Sequence, residues 1–130
     1  MSHQFTFTTA VFAPEGEPAN PINPIGGEAL LRWVIAGLDR SRYVISEPDA
    51  EDWGWYSSVV DGPRTYLLGA SGEWPDDGGA TEWTIQLELQ RSLRDRLTGV
   101  KALDRADALS AAIESRVRQH AAFADITVSR

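Results

Sequence analysis

The clearest pattern in the chain runs from Glu82 to Leu89. Trp83, Ile85, Leu87 and Leu89 alternate with Glu82, Thr84, Gln86 and Glu88. That two-residue period predicts a strand with one face on a core and the other in water. Phe5 and Phe7, alternating with Gln4, Thr6 and Thr8, predict a first strand in the same way. Leu30, Trp33, Val34 and Leu38 instead fall on one stripe of a helix. Leu109, Ala112, Ile113 and Val117 form a second stripe, with Arg105, Glu114 and Arg118 turned outward. Shorter strands are predicted over residues 43–45, stopped by Glu47-Pro48, and over 53–60, 64–69 and 126–128.

Turn and cap residues punctuate this pattern. Asp61-Gly62 signals a hairpin, with Pro63 shifting the expected turn type. Residues 71–79 form a turn-rich loop around Trp74. Asn23-Pro24 reads as an N-cap followed by proline at the first helical position, and Gly37 or Asp39 marks that helix's end. Gly26 and Gly27 weaken its first turn. They serve either close packing or approach of a ligand to free backbone N–H groups. Residues 91–97 suit a short helical turn ended by Gly99. Asp104 with Asp107 resembles a capping pair at the start of the second helix. Residues 13–24 hold Pro14, Pro18, Pro21 and Pro24, which predicts a surface excursion or a mobile flap over a site.

No repeat or linker divides the chain, so residues 1–130 are read as a single domain. The element order is β-α-β-β-β-β-α-β. One apolar stripe per helix and one wet sheet face predict an α+β fold. It is a two-layer sandwich, a mostly antiparallel sheet with two helices on one face.

Composition narrows the functional classes. With 130 residues, 42% hydrophobic and 24% charged, the chain can bury a core without staples. It has no cysteine, which excludes disulfides and cysteine-based metal sites or nucleophiles. A net charge of −7 and a pI near 4.7 argue against nucleic acid and anionic membrane as partners. No apolar run approaches the roughly 20 residues of a membrane span. The N-terminus shows neither the basic start nor the apolar run of a signal peptide, so a cytoplasmic location is expected.

The densest candidate for function is Glu51-Asp52-Trp53-Gly54-Trp55-Tyr56. In a strand, Trp53 and Trp55 stand side by side on one face, with Gly54 bare on the other. They are either a heavy piece of core or an aromatic platform for a ligand. Trp33 and Trp83 lie on core stripes. Trp74, flanked by Glu73 and Pro75 in a loop, is a candidate for an exposed contact or a lid over the sheet edge. Trp53, Trp55, Tyr56 and Trp74 are therefore the candidate binding residues.

Acids cluster at Glu47, Asp49, Glu51 and Asp52 and again at Glu73, Asp76 and Asp77. Solvated loop acids are the plain reading. If one of them is catalytic it is Asp52 or Glu51, acting as a general base beside the aromatics. The spacing matches no calcium loop. His3 and His120 are isolated, so no zinc set forms and no metal ligand is assigned. His120 is placed to meet a helix C-terminus. A Ser–His–Asp set would need Ser57 or Ser58 with His120, for which no spacing argument exists. No nucleophile elbow, P-loop or dinucleotide fingerprint occurs, so no cofactor is expected. Arg91, Arg94 and Arg96, interrupted by Asp95, read as a solvated salt-bridged face rather than an anion site.

The hexapeptide, with Asn23-Pro24 and Tyr43-Val44-Ile45-Ser46-Glu47-Pro48, resembles a group of small bacterial proteins without an established activity. The resemblance covers the middle third of the chain. It implies a bacterial origin and a small α+β domain and transfers no catalytic residue.

The sequence therefore favours a non-enzymatic protein-interaction or ligand-binding module. Its partner would be a basic protein or a small molecule. An immunity-like inhibitor of a basic partner is the specific form. The alternatives are a small enzyme using Asp52 and a self-associating structural domain, and the chain is monomer or homodimer.

Overall fold

The computed structural model describes residues 2–17, 20–22, 25–90, 103 and 107–130. Seven antiparallel strands form one sheet: β1 (Ser2–Thr9), β2 (Val44–Ile45), β3 (Asp49–Glu51), β4 (Gly54–Asp61), β5 (Arg64–Gly72), β6 (Thr81–Gln90) and β7 (Ala124–Ser129). Helix α1 spans Glu28–Ala36 and α2 spans Ala108–Gln119. The spatial order is β2-β4-β5-β6-β1-β7, with β3 pairing β4 beside β2. This is the expected α+β sandwich, with the short β3 as an additional strand.

Register sets the two faces. Trp55 lies opposite Ala70, Ala70 opposite Ile85, and Ile85 opposite Phe5. Residues directly opposite share a face, and faces alternate along each strand. Phe5, Phe7, Trp83, Ile85, Leu87, Leu68, Tyr66, Val59 and Trp55 therefore point one way, and all are buried. Leu30, Leu31, Val34 and Ile35 of α1 and Leu109, Ile113 and Val117 of α2 close over them in one cluster. Arg116 ties the two helices together. Its Nε and Nη2 both donate to the Trp33 carbonyl, at 2.9 and 2.7 Å, and its guanidinium stacks 4.1 Å from the Trp33 ring centre.

Helix α1 starts later than Asn23-Pro24 predicts; that pair lies outside the described residues. Gly26 forms a bridge to Gly72 instead, and Gly27 is the N-cap. A Cβ on Gly27 would sit 2.2 Å from the Ala70 carbonyl oxygen, so close packing decides this position. The helix stops at Gly37 as expected. For α2 the cap is Asp107, whose carboxylate accepts from Ser110 N–H at 3.1 Å. Asp104, the 91–97 turn, Gly99 and the Arg91, Arg94 and Arg96 group lie outside the described residues. The β4–β5 hairpin turns at Gly62-Pro63, with Asp61 opposite Arg64 and Gly62 at φ 58°.

Candidate functional site

Both helices cover one sheet face, and no described helix or strand covers the other. The bare face is set by the same register. Asp49 lies opposite Tyr56, and Glu51 opposite Gly54, so both β3 acids point to the open side. Glu82 and Glu88 point the same way from β6, since Trp83 and Leu87 point inward. Four carboxylates thus occupy the open-face strand positions. Among the described residues, no lysine, arginine or histidine shares those positions with them.

Trp53 lies on this same face, away from Trp55. Asp52 and Trp53 are the two turn residues between β3 and β4, and the strand begins only at Gly54, at φ 151°. That backbone suits glycine and sends the chain into β4 with Trp55 inward. Trp55 is 8% exposed and belongs to the core, whereas Trp53 is 36% exposed. The expectation that the two stand side by side is therefore corrected, because Trp53 precedes the strand rather than starting it. Its ring lies on Gly69, where a Cβ would meet it at 2.7 Å. The Tyr56 ring is 6.4 Å away and tilted by 40°. Gly69 leaves the seat, Trp53 fills it, and Tyr56 and Leu67 flank it.

Trp74 is not a free contact either. Its Nε1–H donates to the Phe12 carbonyl at 2.8 Å, and its ring meets Trp83 edge-on at 5.7 Å. A Cβ on Gly26 would strike its six-membered ring at 2.4 Å. It packs half-buried against one end of the core, at the β5–β6 loop rather than over a sheet edge. Of the four aromatic candidates, the structure brings Trp53 and Tyr56 together, buries Trp55 and half-buries Trp74.

Two described residues of the proline-rich segment, Glu17 and Asn20, are pinned to the rest of the fold. The Glu17 carboxylate accepts from the N–H groups of Gly27 (2.7 Å) and Glu28, capping α1 from ten residues away. Asn20 donates to the carbonyls of Glu51 (3.0 Å) and Gly54 (3.1 Å), clamping the segment to the β3–β4 turn. Burial holds the Glu17 pKa above its usual range despite those N–H bonds, and Glu28 nearby adds to the rise. The Gly27 N–H is thus occupied by Glu17, and the Gly26 N–H donates to the Gly72 carbonyl at 2.9 Å, so the two glycines offer no anion cradle.

A buried polar node escaped the sequence reading. His3 is 1% exposed, and its Nδ1 lies 2.7 Å from Ser110 Oγ. Beside it, Asp107 accepts from Tyr66 OH at 2.8 Å and from Arg64 at 3.1 Å. Burial pushes the Tyr66 hydroxyl up to about 12, and the Asp107 bond adds to that rise against Arg64. The alternation of Phe5 and Phe7, extended two residues back, was the signal for His3. Ser110 is fully buried, so a substrate has no access to its hydroxyl. The Ser57 or Ser58 combination with His120 does not form. Ser57 is buried under the helices, Ser58 faces the open side, and His120 stacks on Phe123 at 4.2 Å.

Asp52 is exposed in its turn, and Trp55 and Tyr56 point to opposite faces, so they cannot wall one cleft around it. No group of three metal-ligating side chains occurs among the described residues. A hollow of about 140 Å³ beside α1 contains Arg32, but Glu28 (3.0 Å) and Glu47 (3.3 Å) already hold that guanidinium. No described helix is long and apolar enough to cross a membrane. Neither a protein-family model, nor a curated protein, nor a solved structure matches the chain.

Proposed function

We propose that this domain is a non-enzymatic protein-interaction module that holds a basic partner protein on its open sheet face. The observation that carries the reading is the coincidence on one face of Asp49, Glu51, Glu82 and Glu88 with the Trp53–Tyr56 pair. Half-exposed aromatics beside carboxylates are the chemistry that anchors arginine- and lysine-rich surfaces. The acids steer the encounter and the aromatics hold the complex, so salt should act on association and truncation on dissociation. The chain's overall net charge of −7 points the same way. An immunity-like inhibitor acting in a bacterial cytoplasm is the specific form we favour. The acidic charge and the aromatic pair support the inhibitor, the lack of cysteine fits the compartment, and the hexapeptide resemblance fits the bacterial origin. The enzymatic alternative at Asp52 or Glu51 loses its cleft once Trp55 and Tyr56 diverge.

The test is affinity capture by the wild type and by a variant carrying Asp49→Asn, Glu51→Gln, Glu82→Gln and Glu88→Gln. All four positions lie on the solvated face, so the fold should survive. The wild type should retain a basic protein at low salt and release it as salt rises, and the neutralised variant should lose it. Equal retention by both proteins, or no retained protein at all, would sink the reading.

A further inference from the structure

A cavity of about 150 Å³ opens at one end of the sheet, between the chain that follows β1 and the β5–β6 loop. Phe12, Pro14, Trp74 and Pro75 give it apolar walls, and Glu15 and Thr81 line it as well. A cavity of this volume holds a benzene-sized group. It falls below the roughly 300–1,000 Å³ of pockets for cofactors and drug-sized ligands. It therefore takes one side chain.

The walls are built before anything binds. Trp74 is fixed by its bond to the Phe12 carbonyl, by Trp83 at its edge and by Gly26 against its ring. Binding then costs little ordering of the site. The two segments that line the cavity carry charge of one sign. Residues 10–17 and 73–80 contain Glu15, Glu17, Glu73, Asp76 and Asp77 and no lysine, arginine or histidine. Glu17 is committed to the start of α1 and Asp77 accepts from Gly79 N–H at 2.8 Å, whereas Glu15 is exposed on the cavity wall.

We propose that this cavity receives the side chain of a lysine or arginine. The aliphatic stem would pack against Phe12, Trp74 and the two prolines, and the cation would meet Glu15. The occupant belongs to the basic partner, so the inference rests on that reading and adds a second, single-residue anchor to it. A long stem carrying a terminal charge suits an apolar slot with a carboxylate on its wall. A purely apolar side chain would leave the Glu15 carboxylate on the wall uncompensated.

The experiment uses the whole chain and NMR shift mapping, which reads millimolar binding. The probes are the Nα-acetyl amides of lysine and arginine, with that of norleucine as the uncharged control. Lysine and arginine should shift the Trp74 indole N–H and the amides of Gly79 and Thr81. Norleucine should bind about 3-fold more weakly, the scale of an exposed ion pair. Glu15→Gln, a change at an exposed position, should bring the lysine probe down to the norleucine level. Silence at Trp74, Gly79 and Thr81, or equal binding of norleucine, would overturn the proposal. The outcome is separable from the open-face reading, which stands or falls on capture by the sheet face and needs no probe in this cavity.

Discussion

Replacing Asp107 by alanine should destabilise the domain by about 2–5 kcal/mol. Three losses contribute. The α2 N-cap bond to Ser110 N–H disappears, a loss of about 1 kcal/mol. The Tyr66 hydroxyl, on a side chain 1% exposed, loses its 2.8 Å acceptor, and an unmatched buried donor costs about 1–3 kcal/mol. Arg64 is 36% exposed, so water replaces its 3.1 Å partner and that ion pair is worth at most about 1 kcal/mol. The sum is a large share of the roughly 5–15 kcal/mol that holds a domain together. Urea unfolding followed by circular dichroism measures it, with an unchanged m value as the check on a two-state comparison. The same experiment with Tyr66→Phe isolates the central bond. Tyr66→Phe should cost about 1 kcal/mol in the wild type. In the Asp107→Ala background it should cost nothing or restore stability, because it removes the donor that lost the Asp107 acceptor. A loss below about 1 kcal/mol for Asp107→Ala, or an equal cost of Tyr66→Phe in both backgrounds, would refute the network reading.

Three further outcomes follow from single contacts. Because the folded Tyr66 hydroxyl titrates at about 12 rather than 10.0, its contribution is complete below pH 10 and is lost as pH rises towards 12; Tyr66→Phe should flatten that part of an alkaline stability curve. Glu17 is the acidic counterpart, with a folded pKa raised by burial, so its contribution is complete below its ordinary pKa of 4.5 and is lost as pH climbs through the folded value. Glu17→Gln keeps the acceptor for Gly27 and Glu28 N–H and should therefore raise the thermal midpoint at pH 7 but not near pH 3, whereas Glu17→Ala should cost about 1 kcal/mol at pH 7. Gly69→Ala places a methyl group in the Trp53 ring and should unseat it; acrylamide quenching of the tryptophan fluorescence, led by the exposed Trp53, should rise, and unchanged quenching would contradict the seat.

Much of the sheet was legible because its strands are half wet. From Thr81 to Gln90 the inner and outer sets are chemically distinct, and period alone assigns their faces. The second helix was legible, but its cap is Asp107 rather than the Asp104 that the capping pair implied, because the Asp107 carboxylate meets the free Ser110 N–H. Trp53 was not legible. Its face depends on a two-residue turn ending at a left-handed glycine, which takes it out of the alternation that places Trp55, Ser57 and Val59 on one face. The open acidic face also needed register, since Asp49, Glu51, Glu82 and Glu88 come from strands far apart in sequence. The Glu17 cap and the Asn20 clamp span ten or more residues through a segment without periodicity, so no local pattern announces them. His3 read as a terminal residue because the first strand was started at Gln4, although the same alternation, continued, places it beside Phe5 on the buried side.

The central claim is that Trp53 and Tyr56 on the open acidic face hold a basic partner. Its most direct test is capture from a native lysate by the wild type beside a variant carrying Trp53→Ala and Tyr56→Ala, with thermal midpoints compared first. The account predicts a basic protein retained in stoichiometric amount by the wild type and lost from the variant. Retention of the same protein by both, or by neither at matched stability, would contradict it.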